Sequence, residues 1–382
     1  MGAVLRSIDC GVDYQTARPR RPSSAYDQSV TASTAQSQAI EKVIRVCSAT
    51  TADARVLRHA VLDEIRRTVK FDAYAWLLTD PETEVGSDPL ADVPSLPELP
   101  RLIRLKYLTS VNRWTRLDAP VALLRTATGD QPERSLMWRE LLANYGVVDV
   151  ASLVFRCRHG CWGFLDLWRN TAEGRFTPAE ATFLTAVAKP ITDALRRCQA
   201  NTFTMASPAP VHAGPVVLVL SPSLEVRAQT PETNACLRLL VPPDAGSQPT
   251  PAGAYNVAAQ LLAVEAGIDD HSPSARVHLS RGLWLTLRAA RIVTASPAAE
   301  QDIAVTIEAT APAERVALFG RACGLSAREL ELLGHLTRGS DTRLVAEQMF
   351  LSQNTVQDHL KSIFVKTATN NRRTLLARAV GH

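Results

Sequence analysis

The chain has 382 residues, of which 46% are hydrophobic and 21% are charged, and its formal net charge is +4. This length predicts two or three domains, and the composition is ample for several hydrophobic cores. Seven scattered cysteines, no secretory signal and no apolar run approaching 18 residues argue against a secreted or membrane-spanning chain, so we expect a cytoplasmic location.

Residues 1–36 are rich in Ser, Thr, Gln and Arg. Such a composition cannot bury enough apolar surface to order itself, so we expect a disordered tail. The run Arg18-Pro-Arg-Arg-Pro within it could contact DNA, but a solvated tail is the simpler interpretation.

Residues 37–200 are predicted to form a first α+β domain. A helical pattern over 38–69 precedes a strand, and helical segments follow around 101–110 and 134–145. Five prolines between residues 81 and 100 predict that most of that loop has no regular structure.

A β-hairpin and a long helix complete this first domain. The strands Val150 to Cys157 and Cys161 to Trp168 are joined by Arg158-His159-Gly160, where glycine suits the turn. The helix begins with Thr177 as its N-cap and Pro178 at its first position, where a missing N–H costs nothing.

This order of elements resembles a GAF-type sensory domain, as do the stretches C-W-G-F-L-D-L-W and F-T-P-A-E-A-x-F-L. Domains of that family hold a small molecule, a cyclic nucleotide or a chromophore between sheet and helices. The resemblance implies that aromatic side chains line such a pocket, although large aromatic residues more often fill cores. The candidate ligand-binding residues are Trp76, Trp114, Trp138, Trp162, Phe164 and Trp168.

Cys157, His159 and Cys161 lie close enough in sequence to suggest a metal clip or a redox pair. No second pair of ligands stands near them, so a closed tetrahedral zinc site would lack its fourth donor. We interpret the two cysteines as small apolar residues that flank a hairpin turn, and we expect no metal and no cofactor.

A Pro/Ala/Ser-rich linker at 201–215 precedes a second α+β domain, predicted for residues 216–310. Its pattern of two strands, two helices and three further strands resembles a PAS-type fold. No residue constellation indicates a haem or flavin, and His271 and His278 stand alone in the sequence. A connector helix at 311–324 follows, and a helical connector can transmit a rotation that a flexible linker would not.

Residues 325–382 carry the clearest local signals. Ser326 and Glu329 form a capping box at the start of a helix. Asp341 and Ser352 are N-cap candidates for two further helices, which are separated by a short turn. Two helices joined in this way form a helix-turn-helix, in which the N-terminal half of the second helix faces the DNA bases.

The third helix of this segment buries Val356, Leu360 and Ile363, which leaves a polar face directed outward. Residues 315–382 contain ten Lys or Arg against five Asp or Glu, a net charge of +5, whereas the whole chain is +4. The basic excess therefore lies where nucleic acid would bind.

The pattern L-S-x-R-E-x-E-x-L, then V-A-E, then L-S-x-x-T-V-x-x-H-x-x-x-I-x-x-K resembles the LuxR-type (NarL/FixJ-like) helix-turn-helix over roughly 60 residues. The resemblance implies that the third helix enters the major groove and that the fourth helix pairs two copies on DNA. Carried over to this chain, the DNA-binding residues are Arg343, Gln353, Asn354, Thr355, Gln357, Asp358, His359, Lys361, Lys366, Arg372 and Arg373. The dimerisation residues are Leu375, Leu376 and Ala379.

Two departures from the family pattern affect this expectation. Gln357 stands where lysine is usual, and Lys366-Thr367-Ala368-Thr369 replaces K-L-G-V. Glutamine can form two hydrogen bonds to adenine and Asp358 can accept one from cytosine, so we expect an altered site preference. The polar Thr367 is expected to alter the strength of pairing through the fourth helix.

The expected fold class is α+β and multidomain, with GAF-like and PAS-like antiparallel sheets followed by an all-α four-helix HTH domain. The common nucleophile, P-loop, zinc-protease and Rossmann motifs do not occur in the sequence, so we expect no enzyme. The favoured hypothesis is a homodimeric transcriptional regulator that binds double-stranded operator DNA, with a small-molecule effector or protein signal and RNA polymerase as further partners. The alternative keeps DNA binding but makes the N-terminal region a ligand-free scaffold for dimerisation and protein interaction.

Overall fold

The computed structural model divides into two compact units, Met1–Gln38 and Ala39–His382. It describes residues 24–49, 53–94, 96–203, 215–240, 252–280, 282–293 and 301–381. Residues 1–23 of the expected tail and residues 204–214 of the expected linker lie outside this set.

The first helix, α1 (Ser24–Ser48), begins inside the stretch that was expected to be disordered. The expectation of a tail without regular structure is therefore wrong for residues 24–36. A low apolar content prevents a segment from forming its own core, but residues 24–36 continue into the part of α1 that buries Val43 and Cys47.

The first sheet has five antiparallel strands in the order β2-β1-β5-β4-β3. The strands are β1 (Ala73–Thr79), β2 (Gly86–Asp92), β3 (Val121–Leu123), β4 (Val147–Cys157) and β5 (Gly160–Asn170). The predicted hairpin of β4 and β5 is confirmed, with Gly160 at φ 131° as the first residue of β5 after the turn.

Strand β2 corrects the expectation that prolines exclude regular structure from most of residues 81–100. Pro89 lies inside this strand, opposite Leu77 of β1. Because β2 is the edge strand of the sheet, the N–H that Pro89 lacks is not needed for a second neighbour. Pro89 therefore lies in an edge strand of the sheet rather than in a loop.

Helices cover both faces of the first sheet. They are α2 (Ala54–Thr68), α3 (Leu99–Leu108), α4 (Leu124–Thr128), α5 (Leu136–Glu140) and α6 (Pro178–Asn201). Helices α2 and α6 pack in one cluster with Leu165 and Leu167, whereas α3 packs with Phe164 and Trp168. Alternate residues of β5 thus point to opposite faces.

The second sheet repeats the strand order of the first. Its order is β7-β6-β10-β9-β8, so both sheets run second, first, fifth, fourth, third. The strands are β6 (Val216–Leu220), β7 (Val226–Gln229), β8 (Ser274–Ser280), β9 (Leu283–Arg291) and β10 (Ile303–Ala309), and the helices are α7 (Pro231–Leu240) and α8 (Ala252–Glu265).

The two sheets belong to one packed body. Residues of α3 and α8 share a hydrophobic cluster with the second sheet. The buried Asp80 accepts from Arg276 Nε at 2.6 Å, and the buried Arg113 donates from Nε to Asp269 Oδ2 at 2.7 Å. These two ion pairs cross between segments that the sequence analysis treated as separate domains.

The remaining helices form a C-terminal bundle. They are α9 (Pro312–Cys323), α10 (Ala327–Thr337), α11 (Thr342–Gln348), α12 (Gln353–Thr367) and α13 (Arg372–Leu376), followed by a wide turn, Ala377–Gly381. The predicted all-helical segment after two antiparallel sheets is confirmed. Within the described residues, none of the helices combines the length and apolar character needed to cross a membrane.

Arginine side chains fasten the C-terminal bundle to the sheets. Arg196 of α6 donates to the carbonyl of Ala322 at 2.9 Å, and Arg378 donates to the carbonyl of Phe203 at 2.9 Å. Phe203 also packs edge-on against Phe319 of α9, with ring centroids 5.3 Å apart. The connector helix is therefore part of the packed body.

Candidate nucleic-acid interface

Three predicted N-caps start the helices of the C-terminal bundle. Ser326 Oγ accepts from the backbone N–H of Glu329 at 3.3 Å, and Glu329 Oε2 accepts from the N–H of Ser326 at 2.6 Å. Asp341 caps α11, and Ser352 Oγ accepts from the N–H of Thr355 at 3.1 Å to cap α12. The capping residues predicted from sequence are confirmed.

Helices α11 and α12 form a compact pair with a four-residue turn between them. Val345 of α11 and Val356 of α12 are fully buried. The turn places Phe350 at φ 56° with its side chain 95% exposed, while Leu351 N–H donates to the carbonyl of Ala346 at 2.9 Å. The pair thus has the short, braced turn that a helix-turn-helix requires.

The outward face of α12 brings together most of the predicted DNA-binding residues. The exposed members are Gln353, Asn354, Thr355, Gln357, Asp358 and Lys361, and His359 is half-buried. Arg343 of α11 and Arg373 of α13 are also exposed. Glutamine, asparagine and lysine on an exposed helix face can reach base edges and phosphates in a major groove.

Asp358 and Lys361 form an ion pair on this face, with Nζ 3.0 Å from Oδ1. Both side chains are more than 70% exposed, so the pair contributes little to stability. DNA phosphates can therefore compete for Lys361 at small cost, and the separated Asp358 can accept a hydrogen bond from a base.

Lys366, which the sequence predicts to bind a DNA phosphate, forms an ion pair within the chain that the sequence did not indicate. Its Nζ lies 2.6 Å and 2.8 Å from the two carboxylate oxygens of Glu329, whose side chain is 4% exposed. Ser362 Oγ donates to the same carboxylate at 2.6 Å. Lys366 is thus held mainly by α10, and its positive charge is largely offset there.

Arg372 is similarly engaged, because its guanidinium donates to the carbonyl of Ser340. This bond ties the start of α13 to the turn before α11. Lys366, Arg372 and Arg373 were predicted to bind phosphates. In the described part of the chain, Arg373 alone among these three is exposed and makes no such hydrogen bond or ion pair.

The predicted dimerisation residues face inward. Leu375 and Ala379 are fully buried and belong to the cluster that also contains Val316 and Phe319 of α9. Only Leu376 keeps part of its side chain accessible. In this conformation Leu375 and Ala379 stabilise the bundle itself, so pairing of two copies through those two side chains does not fit the structure.

Ala368 occupies the position where the family pattern has glycine. It ends α12 in the left-handed conformation, with φ 48° and ψ 45°. This conformation disfavours a Cβ atom. The glycine of the family pattern is therefore explained by backbone geometry, and alanine accepts some strain at the same place.

The aromatic residues suggested as a ligand pocket do not line one common pocket. Trp114 and Phe164 stack with centroids 4.2 Å apart in the cluster shared by both sheets. The other four are divided between two further clusters, one with Trp76 and Trp162 and one with Trp138 and Trp168. All but Trp138 are buried, which is how core residues behave.

A buried polar group on the first sheet escaped the sequence analysis. Asp166 of β5 accepts from Ser152 Oγ at 2.8 Å, and Lys106 Nζ lies 2.6 Å from its other oxygen. All three side chains are buried. The signal was available in sequence, since Asp166 interrupts the apolar stretch G-F-L-D-L-W of a strand covered on both faces.

Cys157 and His271 have ordinary protein partners, and Cys161 is a core residue. Cys161 is fully buried, which raises the pKa of its thiol to about 12, and Trp162 Nε1 donates to Cys157 Sγ at 3.2 Å. His271 Nδ1 lies 2.6 Å from Asp269 Oδ1, and this hydrogen bond raises the pKa of His271. The sequence did not indicate that pairing with Asp269.

The C-terminal bundle matches a described protein family. Residues 324–379 match GerE, "Bacterial regulatory proteins, luxR family". Over 54 residues, 14% of this chain, the sequence is 41% identical to the "Monoamine regulon transcriptional regulator" of Klebsiella aerogenes. The chain spans 24% of that relative's length.

Two solved structures are similar over longer stretches at low identity. A crystal structure of Escherichia coli SdiA shares 12% identity, covering 90% of this chain and 96% of that one, with a TM-score of 0.33. The sensor region of a sensor histidine kinase shares 16% identity, covering 68% of this chain and 94% of that one, with a TM-score of 0.17.

Proposed function

We propose, from the premise that residues 324–379 are a LuxR-family helix-turn-helix domain, that this chain is a sequence-specific DNA-binding transcriptional regulator. The observation that carries the proposal is α12, whose capped N-terminal half presents exposed Asn354, Thr355, Gln357 and Lys361 on one side. A helix of this kind, braced across a short turn by α11, is suited to the major groove of duplex DNA.

Two copies of the chain are proposed to read an inverted repeat. A homodimer places two α12 helices in successive major grooves about one helical turn apart. Because Leu375 and Ala379 are buried within the chain, the contact between copies is assigned to other surfaces, with Leu376 at its edge. RNA polymerase is the expected partner where the site lies beside a promoter.

Replacing Gln357 with alanine is expected to relax the preference for one base pair by about 1–3 kcal/mol. Gln357 is exposed on α12 and can form two hydrogen bonds to adenine. Fluorescence titration of the full chain against the preferred duplex and its single-base variants measures this effect. An equal loss of affinity for every duplex would show that Gln357 does not read a base.

Replacing Lys361 with alanine should weaken binding to all duplexes alike. The loss of one phosphate contact lowers the slope of log K against log salt concentration by about 1. Lys189→Ala is the matched control, because Lys189 is also an exposed lysine paired with a carboxylate one helical turn away. A salt slope for Lys361→Ala equal to that of Lys189→Ala would contradict the phosphate assignment.

The region of the two sheets is proposed to control DNA binding in response to a small-molecule or protein signal. The fastening of the C-terminal bundle to the sheets supports this, since a change in the sheets would move the bundle. The alternative, a ligand-free scaffold, is favoured by one observation: the candidate pocket aromatics are packed in three separate clusters. Thermal stabilisation of the full chain by fractionated cellular metabolites would favour the sensor, and its absence the scaffold.

A further inference from the structure

Side chains from three elements meet at the tip of the β4–β5 hairpin. Arg158 Nε donates to His159 Nε2 at 3.0 Å, and Arg321 of α9 donates to the carbonyl of His159 at 3.3 Å. Arg196 of α6 reaches the same place, where it donates to the carbonyl of Ala322 at 2.9 Å. The hairpin tip therefore touches the connector helix through cationic groups.

The close approach of the bundle to this tip is visible at Gly324. A Cβ atom added to Gly324 would lie 3.0 Å from Arg196 Nη1 and 3.5 Å from His159 Nε2. Gly324 ends α9 at φ 71°, a conformation that also favours glycine. The start of the DNA-binding domain is thus seated directly against the hairpin of the first sheet.

Gly324 is followed by the capping box of Ser326 and Glu329, and Lys366 Nζ lies 2.6 Å from Glu329 Oε2, which connects this group to α12. Burial lowers the pKa of His159, and the charges of Arg196, Arg158, Lys366 and Arg321 lower it further. His159 Nε2 accepts a hydrogen bond from Arg158 Nε at 3.0 Å, as an unprotonated ring nitrogen does. The basic patch is defined as these five residues, which come from the first sheet, α6, α9 and α12.

Carboxylates offset only part of the charge of the basic patch. Glu82 lies 3.6 Å from Arg321, and Glu329 lies 2.6 Å from Lys366. Within the described residues, Arg158 and Arg196 bond to a neutral imidazole and a carbonyl rather than to a carboxylate. Arg158 is exposed, so its charge is available to an external anion.

Lys366 of the basic patch ends a stripe of α12 that begins at the DNA-reading end. Thr355, His359, Ser362 and Lys366 recur at helical spacing, so they follow one another along one side of the helix. Eleven residues of helix span about 16 Å. A duplex continues beyond the base pairs that α12 reads, and its flanking segments carry one phosphate charge per about 1.7 Å of axis.

We propose that the basic patch binds phosphates of duplex DNA that flank the base pairs read by α12, with Arg158 as its exposed contact residue. The N-terminal sheet region is then part of the DNA interface itself. This inference rests on the proposed function and extends the interface beyond the helix-turn-helix. The occupant is a nucleic-acid backbone because the patch adjoins a DNA-reading helix and because, within the described residues, Arg158 and Arg196 have no carboxylate partner.

The test compares wild type, Arg158→Ala and Arg116→Ala as full chains. Arg116 is an exposed arginine of the same sheet region and is the matched control. Each protein is titrated with a short duplex holding the preferred site and with the same site extended by flanking base pairs. Arg158→Ala should bind the long duplex several-fold more weakly with a salt slope lowered by about 1, and Arg116→Ala should match wild type.

On the short duplex, Arg158→Ala and wild type should bind alike. An unchanged affinity and salt slope for Arg158→Ala on the long duplex would overturn the proposal, while binding by wild type would leave the proposed function intact. Failure of wild type to bind any duplex would instead remove the proposed function. If inorganic phosphate raised the melting temperature of wild type but not of Arg158→Ala, with DNA binding unchanged, the patch would be a small-anion site and the DNA assignment would be wrong.

Discussion

Replacing Asp80 with alanine is expected to lower the free energy of unfolding of the full chain by about 3–5 kcal/mol. Asp80 is 1% exposed and accepts from Arg276 Nε and Nη2, each at 2.6 Å, and from the backbone N–H of Arg276 at 2.9 Å. Among the described residues, the substitution leaves the buried guanidinium of Arg276 with Glu82, at 2.8 Å, as its remaining charged partner. Removing the buried partner of a buried charge is among the most destabilising changes that a single substitution makes.

Urea unfolding followed by circular dichroism measures the effect, with Asp193→Ala as control. Asp193 pairs with Lys189 one helical turn away at 2.6 Å, and Lys189 is 84% exposed, so its loss should cost less than about 1 kcal/mol. Equal midpoints for the two variants would contradict the role assigned to the Asp80–Arg276 pair.

The Asp80–Arg276 pair makes the stability of the fold depend on pH. Burial opposes ionisation of Asp80, but the hydrogen bonds and charge of Arg276 outweigh it and hold the pKa of Asp80 below its usual value. A carboxyl whose pKa is depressed in the folded state stabilises the fold above its unfolded pKa. This contribution is therefore present at neutral pH and is lost as the pH falls below about 4, the ordinary pKa of aspartate.

Replacing Glu329 with alanine should destabilise the C-terminal bundle by about 3 kcal/mol. The variant should lose DNA binding as the temperature approaches its melting point. The Glu329 carboxylate accepts from Ser326 N–H, Ser362 Oγ and Lys366 Nζ at 2.6 to 2.8 Å. Its removal breaks the capping box and leaves Lys366 without its anion. Differential scanning calorimetry and DNA titration together measure both effects.

Glu331→Ala is the matched control for this substitution. Glu331 lies on the same helix, two residues away, but its side chain is 42% exposed and pairs with the exposed Arg328. Its loss should change stability by less than about 1 kcal/mol. If Glu329→Ala melted at the temperature of Glu331→Ala, the Glu329 network would not hold α10 to α12.

Acid should bring the stability of wild type closer to that of Glu329→Gln. Burial raises the pKa of Glu329, but the bonds from Lys366, Ser326 and Ser362 dominate and lower it to about 2. Because the folded pKa is depressed, the stability that the ionised carboxylate supplies is complete above the ordinary pKa of 4.5 and is lost as the pH falls toward about 2. The difference in stability between the two proteins should shrink over that interval.

The parts of the structure that follow local rules were open to prediction from sequence. Ser326 with Glu329, and Ser352 with Thr355, are three residues apart, so their hydrogen bonds depend on little beyond the local chain. The hairpin of β4 and β5 likewise follows from two apolar runs around Gly160. Local signals of this kind predicted the position of α12 and which of its faces is exposed.

The contacts that the sequence did not predict join residues that are distant in sequence. Lys366 meets Glu329, 37 residues away, and Asp80 meets Arg276, 196 residues away. Sequence periodicity places Leu375 on an apolar face but does not say whether that face meets α9 or a second copy. The cluster in which each tryptophan ring packs could not be predicted for the same reason, since a strand covered on both faces does not indicate which side each ring faces.

The most direct test of the central claim, that the exposed face of α12 reads duplex DNA, is selection of bound sequences from a random duplex pool by the full-length chain at low ionic strength. The account predicts enrichment of an inverted repeat by wild type, and loss of that enrichment by the double variant Gln357→Ala/Lys361→Ala with an unchanged melting temperature. Recovery of the same enriched sequence by the double variant, or of no sequence by wild type, would contradict it.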